Sequence, residues 1–173
     1  MSNTVATEKK LQNEEAVNKF KKLVKEVNIC MFTTISDELD LFSRPMATIK
    51  VDDDGNAWFF TNEFSEKVHE ISKDNSVYLI YSNPRNNTYV YVKGTCTVVV
   101  DRTRINDLWS PSLKAWFPEG TDDPKLCLLK VVTSEAFYWD HAASNMSVFF
   151  SMMKAIANKS KVESGEIGKL KLG

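Results

Sequence analysis

The sequence predicts a mainly β fold, a small antiparallel barrel with helices added at its margins. Three features carry that prediction. Short runs rich in β-branched and aromatic residues recur between Ile29 and Asp140, separated by turn-forming clusters. Two of these runs bracket Asp53-Asp54-Gly55-Asn56, a hairpin signal. The helical patterns are short or lie outside the strand set. At 173 residues the chain fits one domain with a sizeable core.

Glu8 to Val27 place Leu11, Val17, Phe20, Leu23, Val24 and Val27 at helical spacing among Lys and Glu, which predicts an amphipathic helix laid on the barrel. Ile29 to Ile35 reads as a strand and Asp37 to Asp40 as a turn. Arg44 to Val51 and Ala57 to Thr61 are expected to pair as a hairpin, with Arg44 opening the first strand. A short helix follows from Ser65 to Lys73, turning Val68, Ile71 and His69 to the sheet. Strands are expected at Ser76 to Tyr81 and Tyr89 to Val100; the second is too long to stay flat, and Gly94 marks a bulge or sharp bend. Asp101 caps a short helix to Trp109, and Ser112 to Phe117 makes a further turn before Pro118. Leu126 to Thr133 and Ala136 to Asp140 complete the strands. Ser147 to Ala157 reads as a helix and Lys159 to Gly173 as a polar tail. The domain plan is an N-terminal helical segment (1–28), a barrel domain (29–158) and the tail (159–173).

Charged residues make up 26% of the chain and balance to a net charge of −1, so no basic field exists to hold nucleic acid or an anionic membrane. No apolar run approaches the ~20 residues that cross a bilayer. Met1 to Lys10 is polar and does not read as a secretory signal, so a cytoplasmic protein is expected. Cys30, Cys96 and Cys127 are widely spaced in apolar runs, which predicts buried free thiols rather than disulfides or a zinc site. With His69 and His141 the only histidines, no metal centre is expected.

The densest chemistry lies in Ser43-Arg44-Pro45-Met46-Ala47-Thr48, then Trp58-Phe59-Phe60-Thr61-Asn62, then Ser65-Glu66-Lys67. A strand bearing an arginine, a turn, and a second strand running into a helix would gather an arginine, two hydroxyls, a lysine and free helix amides. Those are the donors a phosphate monoester needs. If Ser65 caps the helix, Lys67 stands in the first turn, where the macrodipole disfavours a cation. Either an anion sits between lysine and helix, or Lys67 is a solvated lysine beside an ordinary cap.

These segments resemble the FMN-binding split-barrel superfamily, in particular the general stress protein group related to pyridoxamine 5'-phosphate oxidase. The resemblance covers roughly Ile29 to Asp140 and includes Tyr89-Val90-Tyr91-Val92-Lys93-Gly94-Thr95, Leu108-Trp109, Trp116-Phe117-Pro118-Glu119-Gly120, Asp122-Asp123-Pro124 and Tyr138-Trp139-Asp140. It implies a six-stranded antiparallel split β-barrel that pairs as a homodimer, with FMN in the groove between subunits. It further implies that Arg44 reaches the flavin phosphate or ring and that the backbone of Pro45, Met46, Ala47 and Thr48 meets the isoalloxazine edge. Phe60 and Thr61 would add contacts, and Ser65 and Lys67 would hold the phosphate.

The sequence departs from the oxidase pattern at three places. Glu66 stands where the oxidase has an arginine, so the phosphate site loses a positive charge, unless Arg85 or a partner's lysine substitutes. The segment after Trp139 lacks the oxidase's substrate-gripping arginine, which argues against oxidation of pyridoxamine phosphate; His141 there is a candidate acid or base or a solvated fringe residue. Tyr89 falls where the oxidase has a glutamine against the flavin, and reads either as a ring contact or as a core or interface aromatic. Trp109 and Trp116 read either as dimer packing or as pocket walls. The expected function is an FMN-dependent oxidoreductase acting on an unidentified small molecule. The alternatives are a non-catalytic flavin reservoir or sensor, and a deazaflavin or haem binder on the same barrel, with haem disfavoured for want of a pocket histidine.

Overall fold

The computed structural model describes residues 8–140 and 166–172. Nine strands and three α-helices follow in order: β1 (Glu8–Gln12), α1 (Asn13–Glu26), β2 (Ile29–Ile35), β3 (Leu41–Ala47), β4 (Lys50–Val51), β5 (Ala57–Asn62), α2 (Glu66–Lys73), β6 (Ser76–Asn83), β7 (Thr88–Val99), α3 (Arg102–Leu108), β8 (Leu126–Asp140) and β9 (Glu166–Lys171). Six of them, in the order β3-β2-β6-β7-β8-β5, form an antiparallel sheet curled into a half-barrel, as expected. β1, β4 and β9 are additions to it.

The anticipated strand from Arg44 to Val51 is two. β3 begins at Leu41, so Arg44 sits in mid-strand, and the whole of β3 pairs with β2. The Thr48 amide then donates to the Asn28 carbonyl, the Ile49 amide turns to the Trp58 carbonyl, and β4 continues against β5. The chain thus changes partners at Thr48-Ile49. β4 pairs with β5, and no ladder joins β3 to β5 among the described residues. That gap is the split.

At Gly94 the register shifts: Lys93 faces Glu135 and Gly94 faces Thr133, so Ser134 is the extra residue and the bulge lies on β8. A Cβ on Gly94 would stand 2.5 Å from the Val132 carbonyl oxygen, which is why glycine occupies this point. β8 is therefore one strand across Ser134 rather than two. Its first half pairs with β5 and its second with β9.

α1 starts at Asn13, five residues later than expected, because Glu8–Gln12 pairs in parallel with β9. Ala16, Val17, Phe20, Leu23 and Val24 of α1 join the barrel core with Phe32, Phe59, Leu79, Tyr81 and Tyr138. The expected polar tail contains β9, whose Leu170 is fully buried. The helix expected at Ser147 to Ala157 and His141 lie outside the described residues. All three cysteines are buried and free, as expected. α2 covers the open end of the barrel with Ile71 and Val68 inward, whereas His69 is exposed and lies 3.5 Å from Asp37 rather than against the sheet.

A second core lies outside the barrel wall, where α3 and the turns after it cover β5 and the start of β8. Trp58, Phe60, Ile105, Leu113, Leu126 and Leu128 form it, with Trp109 and Phe117 packed against them. On the outer face of β2, β6, β7 and β8, register aligns Met31, Ile80, Tyr91 and Phe137 in one apolar row beginning at Pro45 of β3. Ile29, Tyr89 and Trp139 flank it, and Ile29, Met31 and Ile80 are 51%, 40% and 45% exposed.

Candidate functional site

A groove of about 450 Å3 occupies the split. One wall is β3 from Arg44 to Ala47, continuing to Ile49; the other is Phe60, Thr61 and Asn62 of β5. Lys67 of α2 stands at one end, and Leu113, Trp116 and Phe117 form a lip from the covering segment. Among the described residues β3 pairs with β2 alone, so alternate backbone N–H and C=O groups of this strand face the groove without a ladder partner there.

The polar end is built where β5 runs into α2. The Lys67 ammonium donates to Thr61 Oγ1 at 3.1 Å, and Ser65 Oγ lies 3.3 Å from the same oxygen. Ser65 holds the N-cap position with extended backbone, but its hydroxyl makes no capping bond, so the cap side chain leaves the first-turn amides of α2 unsatisfied. Among the described residues Lys67 makes no ion pair, and Thr61 is its hydrogen-bond partner. Burial pushes its ammonium below the usual lysine value, and the nearby Arg44 charge adds to that effect, against smaller opposing contributions from Cys127 and Glu70.

Arg44 lines the groove, yet its guanidinium is already engaged. Nη1 donates to Thr34 Oγ1 and Nη2 to Glu70 Oε2, each at 2.8 Å, while the Phe42 ring packs beneath at 4.5 Å. Glu70 went unrecognised in the sequence. The available signal was its spacing: three residues after Lys67 on a helix, it shares that residue's face.

The remaining expected site residues divide. Pro45, Met46, Ala47, Phe60, Thr61 and Trp116 line the groove, with Trp116 72% exposed at the lip. The Thr48 side chain does not: it is buried with Oγ1 2.7 Å from the Tyr81 hydroxyl. Trp109 stands behind Phe60, edge-on at 5.7 Å, supporting the wall without lining it. Tyr89 lies on the outer sheet face, opposite Trp139. Ile49, Asn62, Leu113 and Phe117 complete the lining without having been marked as site residues; the last two belong to a 3-10 turn and its exit, where strand and helix periodicity give no signal.

An antiparallel half-barrel with three helices and a groove at its split defines a class, the split barrels similar to pyridoxamine 5'-phosphate oxidase. The chain belongs to the pyridoxamine 5'-phosphate oxidase-like family, whose model matches residues 15–163. This family includes FMN-dependent oxidases. Among curated relatives, protein bli-3 of Neurospora crassa is 26% identical over 135 residues, which span 72% of this chain but 65% of that protein. Among solved structures, a general stress FMN/FAD binding protein from Xanthomonas citri is 27% identical with a TM-score of 0.64, the match covering 76% of this chain and 92% of that one. A structure from Jannaschia sp. CCS1 named for general stress protein 26 is 21% identical with a TM-score of 0.71, covering 89% and 96%, and shares the fold.

Proposed function

We propose that the protein is a cytoplasmic FMN-binding flavoprotein that works as a homodimer and passes electrons from a nicotinamide or other donor to a small molecule. The observation that carries this reading is Lys67: a half-buried ammonium without a carboxylate partner among the described residues, beside two hydroxyls, at the end of a groove walled by a free strand edge. A half-buried cation is costly unless an anion meets it. The donor set fits FMN. Lys67, Thr61, Ser65 and the uncapped amides of α2 suit the phosphate, and the outward-facing backbone of Ala47 with the Pro45 carbonyl suits the polar edge of the isoalloxazine. The groove volume falls within the roughly 300–1,000 Å3 of small-ligand sites.

When bound, FMN supplies the two-electron chemistry itself, and the protein's part is position and electrostatics. Phe60 and Phe117 exclude water from one wall, Lys67 neutralises phosphate charge, and the β3 edge fixes ring orientation. The outer sheet face supports the dimer reading. Pro45 and Ala47 belong both to that apolar face and to the groove wall, so a second copy seated on Met31, Ile80 and Tyr91 also closes the groove. Tyr89 and Trp139 would then lie at the interface.

A second reading, a flavin reservoir or sensor, is favoured by the lining itself. Among the described groove residues Arg44 and Lys67 are the only titratable groups, and both stand at the phosphate end. Anaerobic mixing of the flavin-loaded protein with NADH or NADPH separates the two: bleaching of the flavin band supports the enzyme, and a stable oxidised spectrum supports the reservoir. Light scattering should show a dimer that Ile80→Asp disrupts together with FMN binding. A micromolar monomer that still saturates with FMN would contradict the shared site. Pyridoxamine phosphate should not be oxidised, since Asp140 to Met146 contains no arginine or lysine.

A further inference from the structure

Behind the polar end of the groove lies a carboxylate that no phosphate site needs for contact. Glu70 is 5% exposed on the inner face of α2. Its Oε2 accepts from Thr34 Oγ1 at 2.5 Å and from Arg44 Nη2 at 2.8 Å, while Arg44 Nη1 donates to Thr34 Oγ1 at 2.8 Å. The three side chains form a closed triangle joining β2, β3 and α2, with the guanidinium additionally resting on Phe42. Arg44 is therefore spoken for, both in geometry and in charge.

We propose that Glu70 is the selectivity-setting residue of this groove: by binding Arg44 it leaves Lys67 as the cation that meets the ligand phosphate, so that the preference for FMN over unphosphorylated flavin is set by one cation rather than two. This rests on the FMN reading above. Two cations and one carboxylate leave a single net positive charge at this end, against about −1.5 to −2 on a phosphate monoester. Position 66, also a glutamate, adds no compensating cation. Glu70 acts through Arg44 and Lys67 and is a positioning residue, not a contact.

Glu70→Gln tests this, because it keeps the side chain's size and hydrogen bonding while removing the charge. An added net positive charge within a few ångströms of the phosphate should tighten FMN about tenfold and leave riboflavin unchanged. The charge-conserving double variant Arg44→Met with Glu70→Met should keep the wild-type preference of FMN over riboflavin; it also covers the case in which the single variant fails to fold. Parallel changes in FMN and riboflavin affinity in Glu70→Gln, or a preference that falls in the double variant, would overturn the proposal. A flavin-free readout runs beside these: the rate at which Lys67 is acylated across pH. Glu70 raises the lysine's proton affinity whereas Arg44 and burial lower it, so Glu70→Gln should shift Lys67 acylation to lower pH. An unchanged profile would refute the charge-setting role. If neither flavin binds the wild type, the FMN reading falls, while the acylation profile still decides the role of Glu70.

Discussion

Replacing Lys67 with methionine should separate recognition of the flavin phosphate from recognition of the ring. The methionine keeps most of the stem's packing at the half-buried position and removes the ammonium that donates to Thr61. A hydrogen bond to a charged group contributes about 1.5–3 kcal/mol, so FMN affinity should fall roughly ten- to a hundredfold. Riboflavin has no phosphate for Lys67 to meet, and its affinity should hold within about twofold on the same scale. The apo fold should not suffer, because burial already disfavours the Lys67 charge and methionine removes that cost. Quenching of flavin fluorescence on titration, run in parallel for FMN and riboflavin on both proteins, reads these differences. Equal losses for the two ligands would show that the lysine acts through folding, and the placement of the phosphate at α2 would be wrong.

Gly94→Ala would push a Cβ to 2.5 Å from the Val132 oxygen and 2.9 Å from Val131 Cγ1, at the bulge that bends β7 and β8. It should destabilise the fold by about 2–3 kcal/mol or more, seen as a lower urea midpoint; an unchanged midpoint would mean the bulge relaxes freely. At Asp52, burial alone would raise the carboxyl pKa. Hydrogen bonds from Trp58, Asn56 and the turn amides outweigh that and hold it below the ordinary 3.8. Because the folded value is the lower one, Asp52 stabilises the protein above the unfolded value and loses that contribution as pH falls through the folded one. Asp52→Asn should therefore flatten the acid limb of a stability-versus-pH curve; an identical limb would refute the assignment. Burial pushes Cys30 and Cys96 up to about 12 and, with the nearby Glu63 charge, Cys127 to about 11. A thiol-disulfide reagent at pH 8 should leave all three unmodified in the native protein and titrate three in denaturant, whereas fast native reaction would contradict their burial.

The barrel was legible in the sequence because its signals are local. The short apolar and β-branched run of Ile29 to Ile35, the Asp-Asp-Gly-Asn turn and the lone glycine of a long strand each favour one backbone shape. The polar end of the site was legible for the same reason, since Thr61, Ser65 and Lys67 meet across a single strand-to-helix junction. What failed depended on distant partners. Arg44 to Val51 reads as one apolar strand, and only the Asn28 carbonyl and the Trp58 carbonyl, far apart in sequence, divide it. The partners that engage Arg44, Glu70 and Thr34, come from two other elements and leave no local mark in the sequence. Lys169 to Leu172 is polar by composition, yet it alternates Lys-Leu-Lys-Leu, and Leu170 and Leu172 are both buried. That period of two was the signal of β9, outweighed by the surrounding charge.

The central claim is that the split of this barrel holds FMN between two copies of the chain. Titration of the flavin-stripped protein with FMN, with particle mass followed by light scattering in the same sample, tests it most directly. Saturation is expected at one FMN per chain in a particle of two chains. Absence of saturable binding, or saturation of a particle containing one chain, would contradict it.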